Sequence, residues 1–194
     1  MLALTMRGVC SPSSKANTHH KNSKHRKSIT WTKPPERSVK INFDGSKLDS
    51  GEASYGFVIR NHKAEVLAVG NGNCGSNSVL HAEALGARQG VRKALEIGCS
   101  DIIIEGDNLC IINSLSGRWD CPWEIELIIA DTKLDLIHFS SVHIRHIFRE
   151  INTVADRVAK LAHGYPAAEN LEIDPDLNIL IHKDEIGWLA FRPP

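Results

Sequence analysis

Four carboxylates stand where regular elements of the chain are predicted to begin or end. They are Asp44 in NFDGSK, Glu83 in HAEALGA, Asp107 after IIIEG and Asp156 in NTVADR. Active groups of mixed sheets commonly collect near such ends, where loops leave room for a substrate. Carboxylates brought together repel one another unless cations share the site, and hard oxygen ligands favour Mg²⁺ or Mn²⁺. The four acids therefore indicate a metal-dependent site.

Each of these acids, taken alone, also has a simpler structural explanation. Asp44 precedes a glycine, and Asp-Gly is a common turn dipeptide, while Asp107 would be an ordinary turn residue after a strand. Glu83 would be a solvated position on an amphipathic helix. Asp156 would be a favourable charge near a helix N-terminus, where it interacts with the helix dipole. It is the four acids together that favour the metal site.

The elements that must position the acids follow from hydrophobic periodicity. Strands are predicted where β-prone residues alternate or form short apolar runs, and helices where apolar residues recur at steps of three and four. The predicted strands cover residues 39–43, 53–60, 65–72, 101–105 and 140–147. The predicted helices cover residues 78–98, 108–115, 123–137 and 152–163. The order β-β-β-α-β-α-α-β-α predicts an α/β fold of the α+β type, with a five-stranded mixed sheet.

The charge distribution separates a basic N-terminal segment from an acidic remainder. The chain carries 23 Lys and Arg and 23 Asp and Glu, yet residues 1–40 contain nine bases and only one acid, Glu36. We predict that residues 1–36 are a disordered basic arm, with an organelle transit segment as the alternative. Residues 37–164 are predicted to form one domain and residues 165–194 a C-terminal tail. Any contact with a polyanion is then expected to be local, because the acidic remainder of the chain has no overall attraction for phosphate.

Cysteine usage and hydropathy argue against several classes of protein. The five cysteines are odd in number and include no CxxC pair, so neither a disulfide framework nor a zinc site is indicated. No apolar run approaches the roughly 18 residues of a membrane span. We expect an intracellular monomer that does not bind membranes, located in the nucleus or cytoplasm, with an organelle as the alternative.

The motifs, in their chain order, resemble those of the ribonuclease H family, especially the plant ribonuclease H-like domains that also occur in retroelement polyproteins. The resemblance covers about Trp31 to Gly164 and rests on WTKPP, VKINFDGS, HAEALGA, IIIEGDN and REINTVADRVAKLA. It implies a ribonuclease H-like fold and a set of catalytic metal ligands, namely Asp44, Glu83, Asp107 and Asp156. The family pattern assigns the ligand role to Asp107 rather than to Glu105, which we interpret as structural.

The resemblance implies hydrolysis of the RNA strand of RNA–DNA hybrids by a two-metal-ion mechanism, with Mg²⁺ as the cofactor and Mn²⁺ as the alternative. Discrimination would depend on 2′-hydroxyl groups in the wide minor groove of an A-like duplex. The predicted nucleic-acid-binding residues are Asn42, Ser46, Asn77 and Asn108. His146 and Arg149 are predicted to have an auxiliary role at the site, although His146 would alternatively be an ordinary strand residue.

The alternative from another functional class is a catalytically weak or inactive nucleic-acid-binding module derived from a retroelement, since a fold can persist after its chemistry is lost. Loss of one of the four acids would favour this alternative, but all four are present. Between Asp107 and Ser140 the sequence has only Arg118 and Lys133 as Lys or Arg residues. A basic helix that grips the hybrid is therefore not expected in this segment.

Overall fold

The described part of the chain, residues 27–164, 168–169 and 172–192 of a computed structural model, forms strands and helices in an alternating order. The strands are β1 (Lys27–Ile29), β2 (Ser38–Lys47), β3 (Glu52–Arg60), β4 (Val66–Ser76), β5 (Asp101–Gly106), β6 (Ser141–His146), β7 (Ala168–Glu169) and β8 (Ala190–Arg192). The α-helices are α1 (Val79–Glu96), α2 (Leu109–Leu115), α3 (Glu126–Leu136), α4 (Thr153–Leu161) and α5 (Pro175–Glu185). None of these helices is both long enough and apolar enough to cross a bilayer.

A mixed sheet with the strand order β6-β5-β2-β3-β4-β7 organises the domain. Strands β2, β3 and β4 form an antiparallel meander, whereas β5 pairs parallel with β2 and β6 pairs parallel with β5. The predicted five-stranded mixed sheet and the predicted order of its strands and helices are confirmed. Strand β7 adds two residues beside β4, and β1 and β8 form a separate two-stranded sheet.

The alternation of side chains along the strands divides the core between the two faces of the sheet. On one face, Ile41 and Phe43 of β2 belong to the larger cluster, which also contains buried residues of α1, α2 and α3. On the opposite face, Val58 of β3 packs with Val158 of α4 and Leu177 of α5. Strand β2 is thereby held between α1 on one face and α4 on the other, which positions the groups at its end.

Helix α1 begins and ends where its sequence signals indicate. The hydroxyl oxygen of Ser78 accepts a hydrogen bond from the backbone N–H of His81 at 3.0 Å, as expected of an N-cap. The helix ends before Gly98, whose φ of 75° lies in the left-handed region that glycine adopts without strain. These two signals fix the position of Glu83 in the second turn of the helix.

A buried polar network covers the second face of β2. Glu105 accepts a hydrogen bond from Asn42 and pairs with the ammonium group of Lys40, both at 3.0 Å. The side-chain oxygen of Asn42 accepts from Trp31 at 3.1 Å and from Arg60 at 2.8 Å. The Arg60 guanidinium lies 3.7 Å from the centroid of the Trp31 ring. Because buried charges are stable only when paired and hydrogen-bonded, these contacts give Glu105 the structural role that was assigned to it.

The segment that precedes β2 is part of the fold from residue 27 onward. Strand β1 pairs with β8, and Trp31 is only 3% exposed. Both lie within the range 1–36 that the sequence analysis assigned to a disordered arm, so the folded part begins before the predicted boundary at residue 37. The other residues of the predicted arm or transit segment, 1–26, lie outside the described residues.

Helix α5 lies within the predicted C-terminal tail, and it packs against the second face of the sheet. Leu177 of this helix is fully buried, and Arg60 of β3 donates a hydrogen bond to Asp184 at 2.7 Å. Burial lowers the pKa of Arg60, and the neighbouring Asp184 carboxylate opposes that effect. The helix is thus held by apolar packing at one end and by a largely buried ion pair at the other.

Asp184→Asn is expected to decrease the free energy of unfolding by about 2 kcal/mol, because the variant leaves the buried Arg60 guanidinium without its charged partner. Thermal unfolding followed by circular dichroism should show Tm lower by about 4–8 °C. Asp176→Asn on the same helix is the matched control, since Asp176 is 75% exposed in its pair with Arg157. Its effect should stay below about 0.5 kcal/mol. Equal Tm values for the two variants would show that the Arg60–Asp184 pair does not hold α5.

Candidate active site

Three of the predicted acids converge at one end of the sheet. Asp44 lies near the end of β2, Asp107 follows β5 directly, and Glu83 reaches them from α1; one ligand atom from each lies within 4.8 Å of the others. Strands β2 and β5 are parallel neighbours, so their carboxyl ends lie at the same edge of the sheet. The topology therefore brings together residues that are up to 63 positions apart in the chain.

Two glycines allow α1 to approach β2 closely enough for this convergence. A Cβ atom at Gly45 would lie 2.7 Å from the backbone nitrogen of Glu83, and one at Gly86 would lie 3.1 Å from the backbone oxygen of Asp44. The Asp44-Gly45 pair lies inside β2, opposite Gly56 and Tyr55 of β3. The turn explanation for Asp44 is therefore wrong, because this glycine serves close packing of a helix on the strand rather than a hairpin turn.

Burial and mutual repulsion raise the pKa values of two acids in the cluster. Asp44 is 5% exposed; its burial, together with the charges of Asp107 and Asp156, raises its pKa to about 7. Burial and the carboxylates of Asp44 and Asp107 raise the pKa of Glu83 well above its ordinary value. The backbone N–H of Gly45, which donates to Asp44 at 2.8 Å, opposes the shift of Asp44. The fold therefore holds these carboxylates together against their own repulsion.

The donor set fits a hard divalent cation such as Mg²⁺ or Mn²⁺. All three groups of the cluster are carboxylates, which are the ligands that such ions prefer. The Oε2 atom of Glu83 is buried and has no hydrogen-bond partner among the described residues. A buried acceptor without a partner costs free energy, and a cation among the three carboxylates would satisfy it and relieve their repulsion. Asp44, Glu83 and Asp107 are the residues that would hold the ion.

Asp156 lies at the same cleft but outside the three-acid cluster. It is in the first turn of α4, and its carboxylate accepts from Lys160, one turn further on, at 2.6 Å. Its charge still contributes to the raised pKa of Asp44. Its assignment as a fourth metal ligand stays a prediction, since in this arrangement its side chain is engaged with a lysine at the rim.

The acids lie in a cleft of about 290 Å³ whose rim carries three cationic side chains. They are those of Lys47, Arg149 and Lys160. Of these three, only Arg149 was among the predicted site residues; the two lysines were not. Lys47 directly follows the DGS motif, and Lys160 stands four residues after Asp156, so the helical i, i+4 pairing was the available signal. The cleft thus combines an acidic floor with a cationic rim.

Mg²⁺ is expected to raise Tm by about 5 °C at pH 8 and by less than about 1 °C at pH 5.5. Because the pKa of Asp44 rises from 3.8 to about 7 on folding, the folded state binds more protons than the unfolded state between these values. Without metal, the stabilisation that protonation of Asp44 gives to the folded state is fully present below about pH 4 and is lost as the pH rises through about 7. At higher pH, a cation bound in place of the proton restores this stabilisation.

Differential scanning calorimetry with Mg²⁺ or EDTA at both pH values measures this effect. The neighbouring charged groups that act on Asp44 are Glu83, Asp107, Asp156 and Arg149. Asp44→Asn should flatten the pH dependence, whereas Asp49→Asn, which removes an exposed acid after β2, should preserve it. A Tm that responds equally to Mg²⁺ at both pH values would contradict proton displacement at this cluster.

Comparison with known proteins relates this geometry to a family. A family model described as reverse transcriptase-like matches residues 42–162, the part of the chain that carries all four acids. The chain belongs to this family. Its domain is ribonuclease H-like, as the resemblance of its motifs indicated. No curated protein matches the chain significantly.

Solved structures with a similar fold include ribonuclease H domains. The N-terminal RNase H domain of a Mycobacterium tuberculosis protein is 25% identical with a TM-score of 0.63, over 66% of this chain and 94% of that chain. RNase H1 from Halobacterium salinarum is 26% identical with a TM-score of 0.62, and the match covers 66% of this chain and 98% of that chain. LC11-RNase H1, isolated from compost, was solved with an RNA/DNA hybrid; it is 19% identical with a TM-score of 0.60, over 64% and 95%, and shows the fold alone.

The predicted nucleic-acid-binding residues occupy different positions in the ribonuclease H-like domain. Ser46 lines the cleft, and Asn108 caps α2 beside the acids, where its hydrogen bond to Glu83 opposes the rise of that pKa. Asn77 lies just before α1 and is not among the residues that line the cleft; its amide donates to a backbone carbonyl at 3.5 Å. Asn42 departs from its predicted role, because it is 1% exposed and its amide is engaged in the polar network.

His146 lies next to the acidic cluster, at the end of β6. Its Nε2 atom is 3.0 Å from the backbone oxygen of Asp107, and its ring meets the ring of Phe148 edge-on. It is therefore a strand residue, as the alternative in the sequence analysis had it, and also a neighbour of a predicted ligand. It does not line the cleft, whereas Arg149 does. The auxiliary role of both residues stays a prediction.

Asn152 is a positioning residue that the sequence analysis missed. Its side-chain amide donates to Asp107 at 3.1 Å and to the backbone oxygen of Phe43 at 2.9 Å, and it is 2% exposed. It thereby ties the start of α4 to β2 and orients one oxygen of a predicted ligand. The available signal was its position directly before a helix, which is typical of a capping residue rather than of a contact to an active-site acid.

Proposed function

We propose that the protein is a metal-dependent endoribonuclease that hydrolyses the RNA strand of RNA–DNA hybrids. The observation that carries this proposal is the cluster of Asp44, Glu83 and Asp107, whose ligand atoms lie within 4.8 Å of one another. Holding these three carboxylates together, two of them buried, costs free energy unless cations bind, so the arrangement favours a metal-dependent reaction over a purely structural role. The cationic rim around the cluster fits a polyanionic substrate.

Similar proteins support the choice of substrate. LC11-RNase H1 was solved in complex with an RNA/DNA hybrid, and so was the foamy viral protease–reverse transcriptase, which is 15% identical with a TM-score of 0.54. The two RNase H domains that are 25% and 26% identical match nearly their whole length. A hybrid duplex is therefore the substrate class that we assign to the cleft.

The residues of the chain would divide the work as their contacts indicate. Asp44, Glu83 and Asp107 would hold the cations, which when bound supply Lewis acidity to the attacking water and to the leaving 3′ oxygen. Asn152 keeps one oxygen of Asp107 in a fixed direction, and the backbone N–H of Gly45 does the same for Asp44. A rigid ligand set of this kind avoids reorganisation during the reaction.

The rim would bind the backbone of the substrate. Lys47, Arg149 and Lys160 line the cleft and offer charged donors to phosphate groups. Contacts of this kind position a duplex without reading its sequence. Selection of RNA over DNA would then rest on the 2′-hydroxyl groups, which differ between the two strands of a hybrid. Ser46, which lines the cleft, and Asn108, which is hydrogen-bonded to Glu83, are the polar side chains to which we assign this role.

The test is a cleavage assay on a hybrid whose RNA strand carries a label, in Mg²⁺ and in Mn²⁺. Single-stranded RNA, double-stranded RNA and double-stranded DNA of the same sequence serve as comparison substrates. We expect cleavage of the RNA strand of the hybrid, products with 5′-phosphate ends, and no cleavage in EDTA. Binding of the hybrid without cleavage would instead support the inactive nucleic-acid-binding module. Cleavage of all four substrates would contradict hybrid specificity.

The remaining expectations concern the biological setting. The plant and retroelement associations, the intracellular location and the monomeric state stay predictions from the sequence. Light scattering coupled to size-exclusion chromatography measures the last of these directly, and a molar mass near 21.4 kDa would agree with a monomer.

A further inference from the structure

A histidine after α4 connects the cleft to a buried serine of β3. The Nε2 atom of His163 lies 3.0 Å from the hydroxyl oxygen of Ser46 and 3.0 Å from that of Ser54. Ser54 is fully buried, whereas Ser46 lines the cleft. The other ring nitrogen of His163, Nδ1, is buried and has no hydrogen-bond partner among the described residues. The cluster is therefore assembled by tertiary packing of three separate elements.

Counting of hydrogen bonds assigns the proton positions in this cluster. The hydroxyl of Ser54 donates its single hydrogen to the backbone carbonyl of Ala159 at 2.7 Å, so its oxygen can only accept from His163. Nε2 of His163 therefore carries the ring hydrogen, by inference from the network. The opposite tautomer would place an N–H at the buried Nδ1 without an acceptor and would turn a lone pair toward Ser54.

The hydrogen bond from His163 orients the hydroxyl group of Ser46. Its oxygen accepts from the same N–H of His163 that also faces Ser54, so its own hydrogen remains for a different acceptor. Ser46 lines the cleft together with Asp44 and Asp107. With its oxygen held by the histidine, the serine presents a hydrogen-bond donor to whatever occupies the cleft.

We propose that His163 is a positioning residue that holds the Ser46 hydroxyl as a hydrogen-bond donor toward the nucleic-acid strand in the cleft. The acceptor is an oxygen of the RNA strand, which is either a phosphate oxygen or a ribose 2′-hydroxyl. This inference rests on the proposed function and deepens it, because a histidine that does not itself line the cleft would orient the Ser46 hydroxyl that binds the substrate there.

The decisive variants are His163→Leu and His163→Gln in the full chain. Leucine removes the donor, whereas the amide N–H of glutamine reaches close to the position of Nε2. His163→Leu should raise the KM for the hybrid about tenfold and change kcat less than about twofold, because the lost hydrogen bond acts in the ground state and transition state alike. His163→Gln should return KM to within about threefold of the wild-type value. If His163 contributed only packing, both variants would have a lower Tm, and their KM values would not differ in this way.

A double-mutant cycle tests whether His163 acts through Ser46. In the Ser46→Ala background, His163→Leu should change KM by less than about twofold, because both residues serve one hydroxyl. His138→Leu is the matched control, since His138 is exposed before the start of β6, away from the cleft. It should leave KM unchanged. Hybrids with one 2′-deoxynucleotide or one methylphosphonate next to the cleavage site, compared by their dissociation constants, identify the acceptor, because the effect of His163→Leu on Kd disappears on the substrate that lacks it.

The outcomes separate this inference from the proposed function. If the wild-type protein cleaves the hybrid but His163→Leu leaves KM unchanged, the role of His163 is overturned and the proposed function stands. Independent effects of His163→Leu and Ser46→Ala have the same meaning. Wild-type protein that binds the hybrid without cleaving it contradicts the proposed function, and the same cycle is then measured as dissociation constants, where an unchanged Kd for His163→Leu overturns the inference as well. Protein that does not bind the hybrid at all overturns both.

Discussion

Asp107→Asn is expected to reduce cleavage of the hybrid by about a thousandfold or more, while the domain stays folded. Asparagine has the shape of aspartate, and its side-chain oxygen can still accept the hydrogen bond that Asn152 donates at 3.1 Å. What the variant loses is one negative charge of the three-acid cluster, and with it a predicted metal ligand. The measurement is single-turnover cleavage of a labelled hybrid in Mg²⁺, with Tm recorded on the same samples.

The stability of this variant without metal gives a second readout of the same cluster. The charge of Asp107 contributes to the raised pKa values of Asp44 and Glu83, so its removal relieves repulsion. We expect Tm in EDTA to equal or exceed the wild-type value, while the stabilisation by Mg²⁺ at pH 8 is lost. Reduced cleavage with a strongly lowered Tm would instead indicate that Asp107 supports the fold.

Asp101→Asn is the matched control for this variant. Asp101 lies at the start of β5, the end of the strand opposite the cleft, so its substitution should change cleavage less than about twofold. Retained cleavage in Asp107→Asn would remove this residue from the ligand set. Glu105 would be a poor replacement, because it is 2% exposed and pairs with Lys40 and Arg145 within the polar network.

The convergence of the three acids could be predicted because strong local signals define the elements that carry them. The strand predicted at residues 101–105 is observed as Asp101–Gly106, and the helix predicted at residues 78–98 is observed as Val79–Glu96. Parallel strands place their carboxyl ends at one edge, so the pairing of β2 with β5 brings Asp44 and Asp107 together. The order of the elements does not fix that pairing, and the joint site was predicted from the resemblance of the motifs. The close approach of Glu83 also depends on two glycines, Gly45 of the DGS motif and Gly86 of α1.

The second face of β2 could not be predicted from the same signals. The alternation of Lys40 and Asn42 with apolar residues is typical of a strand with one solvated face. Both residues are buried, because Trp31, which lies before the sheet in the chain, contacts both of them. Arg60, which Asp184 of α5 holds from a position after the sheet, also contacts Asn42. Periodicity reports only local amphipathicity, so it cannot show which distant segment will pack over a polar face. The assignment of Asn42 to nucleic-acid binding failed for this reason.

A sequence pattern also does not show how far a side chain lies from the three-acid cluster. Asp156 shares the cleft with the cluster, yet Lys160 engages its carboxylate one turn along the helix. The direction of this side chain depends on how deeply α4 sits on the sheet, and that depth is set by a glycine of β3. A Cβ atom at Gly56 would lie 2.3 Å from the backbone nitrogen of Ala159 and 2.7 Å from the carbonyl carbon of Val158.

Gly56→Ala is accordingly expected to lower the free energy of unfolding by about 3 kcal/mol and Tm by about 6–12 °C. The added methyl group meets helix backbone, which cannot turn aside as a side chain can, so α4 must move away from the sheet. The displacement would carry Asp156 and His163 with it. We therefore expect weaker hybrid cleavage even at temperatures where the variant is fully folded, measured well below its Tm.

Gly70→Ala in β4 is the matched control for this effect. Its added Cβ would lie 2.6 Å from the far end of the Phe57 ring, a side chain that borders a small cavity of about 40 Å³ and can shift toward it. We expect a cost of about 1 kcal/mol and unchanged cleavage, because α4 is not involved. Equal losses of stability in the two glycine variants, with full activity in both, would show that the close packing of α4 against Gly56 does not determine the geometry of the cleft. The position of Asp156 would then have to depend on Asn152 instead.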